Sequence, residues 1–142
     1  MRRRTAHTPV SDRVTGSRYG QKGTMGAAYD PMDMPVSEET GIIPDICINP
    51  HCLPSRMTIG HILESIMGKN AALSGELADG TPFSMSDDLQ DSTDYDVINR
   101  RLGEELASYG FRCDGTETYL DGRTGKRMEM RVFVGPMSYQ KL

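Results

Sequence analysis

Apolar residues recur with a helical period in two stretches of this chain and with a strand period in a third. Ile59, Ile62, Leu63, Ile66 and Met67 fall at i, i+3, i+4, i+7 and i+8, which lays one apolar stripe along a helix. Ser55 or Thr58 is suited to cap its start, and Gly68 and Gly75 bracket a fraying end. A second helix is predicted from Asp94 to Tyr109. Asp94 or Thr93 serves as its N-cap, Tyr95, Ile98, Leu102, Leu106 and Tyr109 form its buried side, and Gly110 ends it. Thr116–Asp121 and Lys126–Val134 alternate around Gly122-Arg123-Thr124-Gly125, a β-hairpin in which Met128, Met130, Val132 and Val134 share one face. Ile42–Ile48 is a short apolar run broken by Pro44 and Asp45 and stopped by Asn49-Pro50, and reads as a buried strand. Residues 1–41 are cut by Gly, Pro, Ser and Asp into loops and short extended pieces, and 76–93 read as an acidic loop. The class is α+β.

With 142 residues the chain is at most one domain, and ten Met with no Trp leave it a thin core. A net charge of −4 argues against a free-standing nucleic-acid binder that relies on overall attraction. The charge is uneven, however. Arg2, Arg3, Arg4, Arg13, Arg18 and Lys22 crowd the start with only Asp12 among them, whereas Glu76 to Asp96 holds seven acids and no base. That asymmetry fits a piece of a larger assembly, with one edge facing a polyanion. The odd count of three cysteines favours a reducing compartment. No apolar run approaches the roughly 18 residues of a membrane span, and no apolar segment follows the first arginines, so neither a span nor a secretory signal is expected. The three arginines read as a solvated arm rather than a targeting patch.

Ser17-Arg18-Tyr19-Gly20-Gln21-Lys22-Gly23-Thr24 is the most telling stretch. Glycines on both sides let a phosphate approach the backbone, and lysine brings a compact charge on a flexible stem. A second island, Ile48 to Thr58, carries Arg56, and no other lysine or arginine lies between Lys22 and Arg56. Two separate cations on Gly- or Pro-shaped backbone point to a polyanion held at two places. The plainer reading is that each is an ordinary surface cation. Cys47, His51, Cys52 and His61 lie close together, but Asn49-Pro50 stiffens the link and His61 falls on a helix, so a tetrahedral zinc set is not expected. Three scattered histidines give no Ser/His/Asp triad. Gly20, Gly23 and Gly26 do not make a nucleotide-binding glycine loop, since neither a preceding strand nor a following helix is predicted.

Read together, these motifs resemble one family. Ser17–Thr24, Asp33-Met34-Pro35, Gly41–His51, Pro54–His61, Ala71–Gly75, Thr81-Pro82-Phe83, Tyr119–Lys126 and Phe133–Leu142 follow the order and spacing of the hybrid-binding region in the second-largest subunit of multisubunit DNA-directed RNA polymerases. The eukaryotic, archaeal and large-DNA-virus branch is the most similar. The resemblance covers most of residues 17–142. It implies part of a double-psi β-barrel with two attached helices, a single partial domain over 1–142, and an acidic surface insertion at 84–93. A partial barrel leaves Ile46, Ile48, Val132 and Val134 partly uncovered.

The same resemblance implies a role in RNA synthesis. Lys22 and Arg56 are then the catalytic cations, Lys22 near the RNA 3′ end and the phosphates of the incoming nucleotide, Arg56 on its triphosphate at a helix N-terminus. Arg13, Arg18, Gln21 and Lys22 are implied on nucleic acid. The family has a further lysine where Val14 stands here, so Arg13 takes its place only with an insertion near Gly16. Implied partners are the largest subunit, the remainder of the second-largest subunit, DNA template, RNA product and nucleoside triphosphates, with no membrane. Magnesium is implied in the assembled enzyme, held mainly by the partner subunit, since no Asp-x-Asp-x-Asp run occurs here. The implied location is intracellular: nucleus or cytoplasm, or a virus factory or virion. The alternative is a noncatalytic, polymerase-derived module acting in assembly or as a decoy.

Overall fold

The computed structural model describes residues 14–81 and 95–142. In chain order its elements are β1 (Val14–Ser17), β2 (Lys22–Thr24), β3 (Val36–Ser37), α1 (Cys52–Arg56), α2 (Ile59–Ser74), α3 (Tyr95–Ser108), β4 (Thr116–Leu120), β5 (Arg127–Phe133) and β6 (Tyr139–Lys141). Two three-stranded antiparallel sheets result, ordered β2-β1-β6 and β3-β4-β5. The class is therefore mixed α and β. No closed barrel forms among the described residues.

Each sheet rests on a local turn. Gly20, at φ 74°, lets β1 fold back on β2, and the Ser17 amide donates to the Gln21 carbonyl at 2.8 Å. The predicted hairpin of β4 and β5 is present. Its turn is fixed by Asp121, whose carboxylate accepts from the Arg123 amide and the Thr124 hydroxyl, both at 3.0 Å. Those bonds, the backbone one first, hold the Asp121 carboxyl below the usual carboxylate range.

Helix α2 ties the two sheets together with a polar face. His61, Ser65 and Lys69 are buried at successive i+4 positions, as is Asn70 beside them. At its start, Glu64 accepts the Ser138 amide (3.0 Å) that leads into β6. Midway, the backbone at Gly135 packs so closely that an added Cβ would lie 2.4 Å from the Ser65 carbonyl oxygen. Toward its end, the Lys69 ammonium pairs with Glu117 of β4 at 2.5 Å, and the other Glu117 oxygen accepts the Ser37 hydroxyl of β3. Asn70 donates to the Leu102 carbonyl and to Glu105 on α3. Among the described residues only Leu106 and Tyr119 are fully buried hydrophobics, so the expected thin core is observed. Burial first, then the Glu117 charge, pushes the Tyr119 phenol up to about 12.

Several expectations need correction. The described residues hold three helices, since α1 adds a short turn after Asn49-Pro50. Ile42–Ile48 is irregular rather than a strand. Pro44 offers no amide donor, and Gly41 at φ 68° turns the chain so that its amide donates to the Ser37 carbonyl. The apolar stripe of α2 is not its buried side: Ile59 is 60% exposed and the rest of the stripe only half-buried, because the polar stripe faces the sheets. Gly68 lies inside α2, where its missing side chain admits Pro136, and Gly75 alone closes the helix at φ 78°. Thr58 does occupy the N-cap position of α2, but its side chain makes no cap bond.

Elsewhere the outcome is mixed. α3 ends as predicted, with Gly110 at φ 84° and the Phe111 amide returning to the Leu106 carbonyl. Tyr109, expected to be buried, is 43% exposed. On β5, Met128 and Val132 are half-buried, but Met130 is 61% exposed. Ile46, Ile48, Val132 and Val134 are all partly uncovered, as expected. The N-cap at Thr93 or Asp94, the side chains of Tyr95 and Ile98, and the acidic segment 84–93 lie outside the described residues.

Removing the Lys69 charge tests the role of its pair. Lys69→Met leaves the buried Glu117 carboxyl with only Ser37 to satisfy it, so the loss in unfolding free energy is expected to be about 3–5 kcal/mol. Adding Glu117→Gln should recover much of it. Chemical denaturation of the wild type and both variants measures this, and a single variant as stable as wild type would refute it.

Candidate functional site

The β1–β2 turn and the α1–α2 junction meet, and this brings the two cation-bearing islands together. Gln21, between Gly20 and Lys22, is 7% exposed. Its side-chain amide donates to the Cys52 carbonyl at 3.0 Å and to the Thr58 hydroxyl at 2.8 Å. In return, Arg56 Nη1 donates to the Gly20 carbonyl at 3.2 Å. Lys22 opens β2 opposite Gly16, is exposed, and has no side-chain hydrogen bond or ion pair among the described residues. A free ammonium and a guanidinium held by one backbone carbonyl thus stand on joined loops. Both are available to an anion.

Arg56 is placed differently from the expectation. It ends α1 rather than directly preceding α2; Met57, at φ 52°, and Thr58 intervene. A left-handed methionine reverses the chain sharply here, and its amide returns to the Pro54 carbonyl. The missing strand before Gly20 is also corrected: β1 precedes it, but an antiparallel strand follows, not a helix.

Arg18 points the other way along the turn and donates to Glu64 of α2 at 3.3 Å. With 61% of the Arg18 side chain exposed, that pair contributes little to stability and leaves the guanidinium accessible. Arg13 lies outside the described residues. The Gln21 amide group, by contrast, is turned inward and occupied.

Sequence reasoning missed the support beneath this turn. Tyr19 lies over Gly60, where an added Cβ would sit 2.8 Å from the ring. Burial first, then Glu64, raises the Tyr19 pKa. His61 is wedged edge-on between Tyr19 and Tyr139, at ring separations of 6.2 and 6.4 Å. Its Nε2 is buried without a hydrogen-bond partner. A glycine in the first turn of a helix, costing about 1 kcal/mol against alanine, was the available signal for close packing. Among the described residues no group of three or more His, Cys, Asp or Glu side chains could hold a metal.

A family model described as RNA polymerase Rpb2, domain 6, matches residues 3–142, and the chain belongs to that family. It is similar to DNA-directed RNA polymerase subunit Rpo2 of Saccharolobus solfataricus, with 42% identity over 100% of this chain and 12% of that protein. DNA-directed RNA polymerase II subunit RPB2 of Encephalitozoon cuniculi is 44% identical over 98% of this chain and 11% of its own length. DNA-directed RNA polymerase subunit 2 of Acanthamoeba polyphaga mimivirus is 42% identical over 100% and 11%. The chain therefore spans roughly a tenth of the length of these curated relatives.

Burial lowers the His61 pKa below its ordinary 6.5, against a smaller upward pull from Glu64. The unfolded chain then binds the proton first, so stability is full above about pH 6.5 and falls as pH drops toward the folded value. Denaturation midpoints taken from about pH 7.5 down to 5.5 should decline more steeply for wild type than for His61→Gln. Parallel declines would refute this contribution.

Proposed function

We propose that this chain is part of the active-centre region of a DNA-directed RNA polymerase second subunit, where its cations act on nucleotide phosphates and nucleic acid. The observation that carries the reading is the joining of the Lys22 and Arg56 loops through Gln21 and Gly20. The family membership and the likeness to DNA-directed RNA polymerase subunits support it. In this proposal Arg56 binds the triphosphate of the incoming nucleotide with its fork of donors. Lys22 sits where the RNA 3′ end meets that nucleotide and offsets charge that develops during phosphoryl transfer. Arg18, and Arg13 beyond the described residues, add contacts to the nucleic-acid backbone.

The magnesium of the assembled enzyme is assigned in this reading mainly to the largest subunit. That subunit and the remainder of the second subunit are the proposed protein partners, with template, RNA and nucleoside triphosphates as the others. The two sheets are proposed to join strands from the remainder of the subunit in a double-psi barrel, which makes residues 1–142 one partial domain. The location follows the polymerase: nucleus or cytoplasm, or a virus factory or virion. No helix of the described residues is long and apolar enough to cross a membrane.

Single-nucleotide extension by the assembled polymerase, measured over a nucleotide concentration series, tests the two cations separately. Arg56→Ala should chiefly raise the KM for nucleotide, by about 10-fold or more for one lost charge-assisted contact. Lys22→Ala should also lower the rate at saturation, because its charge acts in the transition state. Wild-type behaviour of both variants would remove the assignment.

A further inference from the structure

We propose that Gln21 is a positioning residue: it fixes the distance between the two cations and makes them one two-point phosphate site. This rests on the function proposed above for Lys22 and Arg56. A glutamine amide carries two N–H donors, and here they go to two acceptors that flank Arg56 in the chain, the Cys52 carbonyl before it and the Thr58 hydroxyl after it. Lys22 is the next residue after Gln21, and Arg56 bonds back to Gly20, the residue before. The segment carrying Arg56 is thus fastened at both ends and in the middle to Gly20 and Gln21, the two residues that precede Lys22.

Neither loop has rigidity of its own to spare. α1 has five residues, too few for a stable isolated helix, and β2 has three on the outer edge of its sheet. Other polar side chains nearby do not substitute for the strap. The Ser55 hydroxyl returns to the His51 and Cys52 carbonyls of its own turn. The Thr58 side chain makes no cap bond to α2, so its role here is to receive Gln21. Being 7% exposed with its donors occupied, the amide acts through the cations and not by touching the ligand.

The test uses the assembled polymerase with three changes in the strap and one at each cation. Gln21→Met keeps the length and loses both donors, Thr58→Val loses one acceptor at nearly constant volume, and Thr58→Ser keeps it. Gln21→Met and Thr58→Val are expected to raise the KM for nucleotide about 5–10-fold, and Thr58→Ser to restore the wild-type value. The second readout is the coupling between Lys22→Ala and Arg56→Ala. Their effects should be non-additive with Gln21 present and additive in the Gln21→Met background.

Coupling that persists in Gln21→Met overturns the proposal, as does an effect of Gln21→Met that Thr58→Val does not share. If Gln21→Met does not assemble, the threonine pair decides, and equal values for Thr58→Val and Thr58→Ser overturn it. If Thr58→Val also fails to assemble, the strap is a folding element and the proposal falls. Impaired Lys22→Ala and Arg56→Ala beside normal strap variants would defeat this inference alone. Normal Lys22→Ala and Arg56→Ala would instead defeat the function on which it rests.

Discussion

The Lys69–Glu117 pair is the contact through which helix α2 and the β3-β4-β5 sheet are held in one arrangement. Both side chains are almost wholly withdrawn from water, at 9% and 4% exposure. Removing two charges from water costs several kcal/mol each, and their attraction offsets that only when the remaining valences are met. Here they are. Glu117 receives Ser37 from the short edge strand β3, and the Lys69 ammonium lies 4.6 Å from the centre of the Phe111 ring. One carboxylate therefore joins β3, β4 and α2. The neighbouring Asn70 extends the contact to α3.

An interior organised by polar contacts has a consequence for the outside. The apolar residues that a self-sufficient domain would bury are turned outward instead. Met57 is 81% exposed, Ile59 60% and Ile42 58%. Leu53, Pro54, Met57, Ile59 and Ile62 border an open apolar depression of about 290 Å³ at the α1–α2 junction. Leaving such surface in water forgoes about 25 cal/mol for each Å² that a neighbour would cover. Exposed apolar surface of this kind marks a face suited to packing against a partner, and the chain spans about a tenth of the length of its curated relatives.

What the sequence disclosed follows from which forces act locally. The span of α2, the Gly110 end of α3 and the Asp121 hairpin turn depend on periodicity and on turn chemistry, and each was legible. The buried face of α2 was not, because hydrophobic periodicity assumes that apolar residues seek the interior. Lys69 and Glu117 are 48 positions apart, and nothing local marks them as partners. Ile42–Ile48 had strand composition, but Pro44 and the turn at Gly41 deny it a continuous row of donors. At the candidate site the two cations stood out through their glycine and proline surroundings. Their joining through Gln21 and Thr58 is a contact across 37 positions and needed the fold.

The exposure of Lys22 and Arg56 bears on how such a site can work. In bulk water a cation 4 Å from a phosphate charge gains only about 1 kcal/mol, and salt screens it further. At an effective dielectric of about 20, typical of a partly covered protein surface, the same contact is worth about 4 kcal/mol. An open pair of cations on a chain of net charge −4 is therefore a weak phosphate trap. It becomes strong where other polypeptide and the nucleic acid displace the water, and only if the cations need not move to meet the ligand. Under the function proposed above, the Gln21 bonds to Cys52 and Thr58 supply that second condition within this chain, and the proposed partners supply the first. On that proposal, splitting the task leaves the isolated loops nearly inert toward free phosphate, while the covered site would bind it in a fixed geometry.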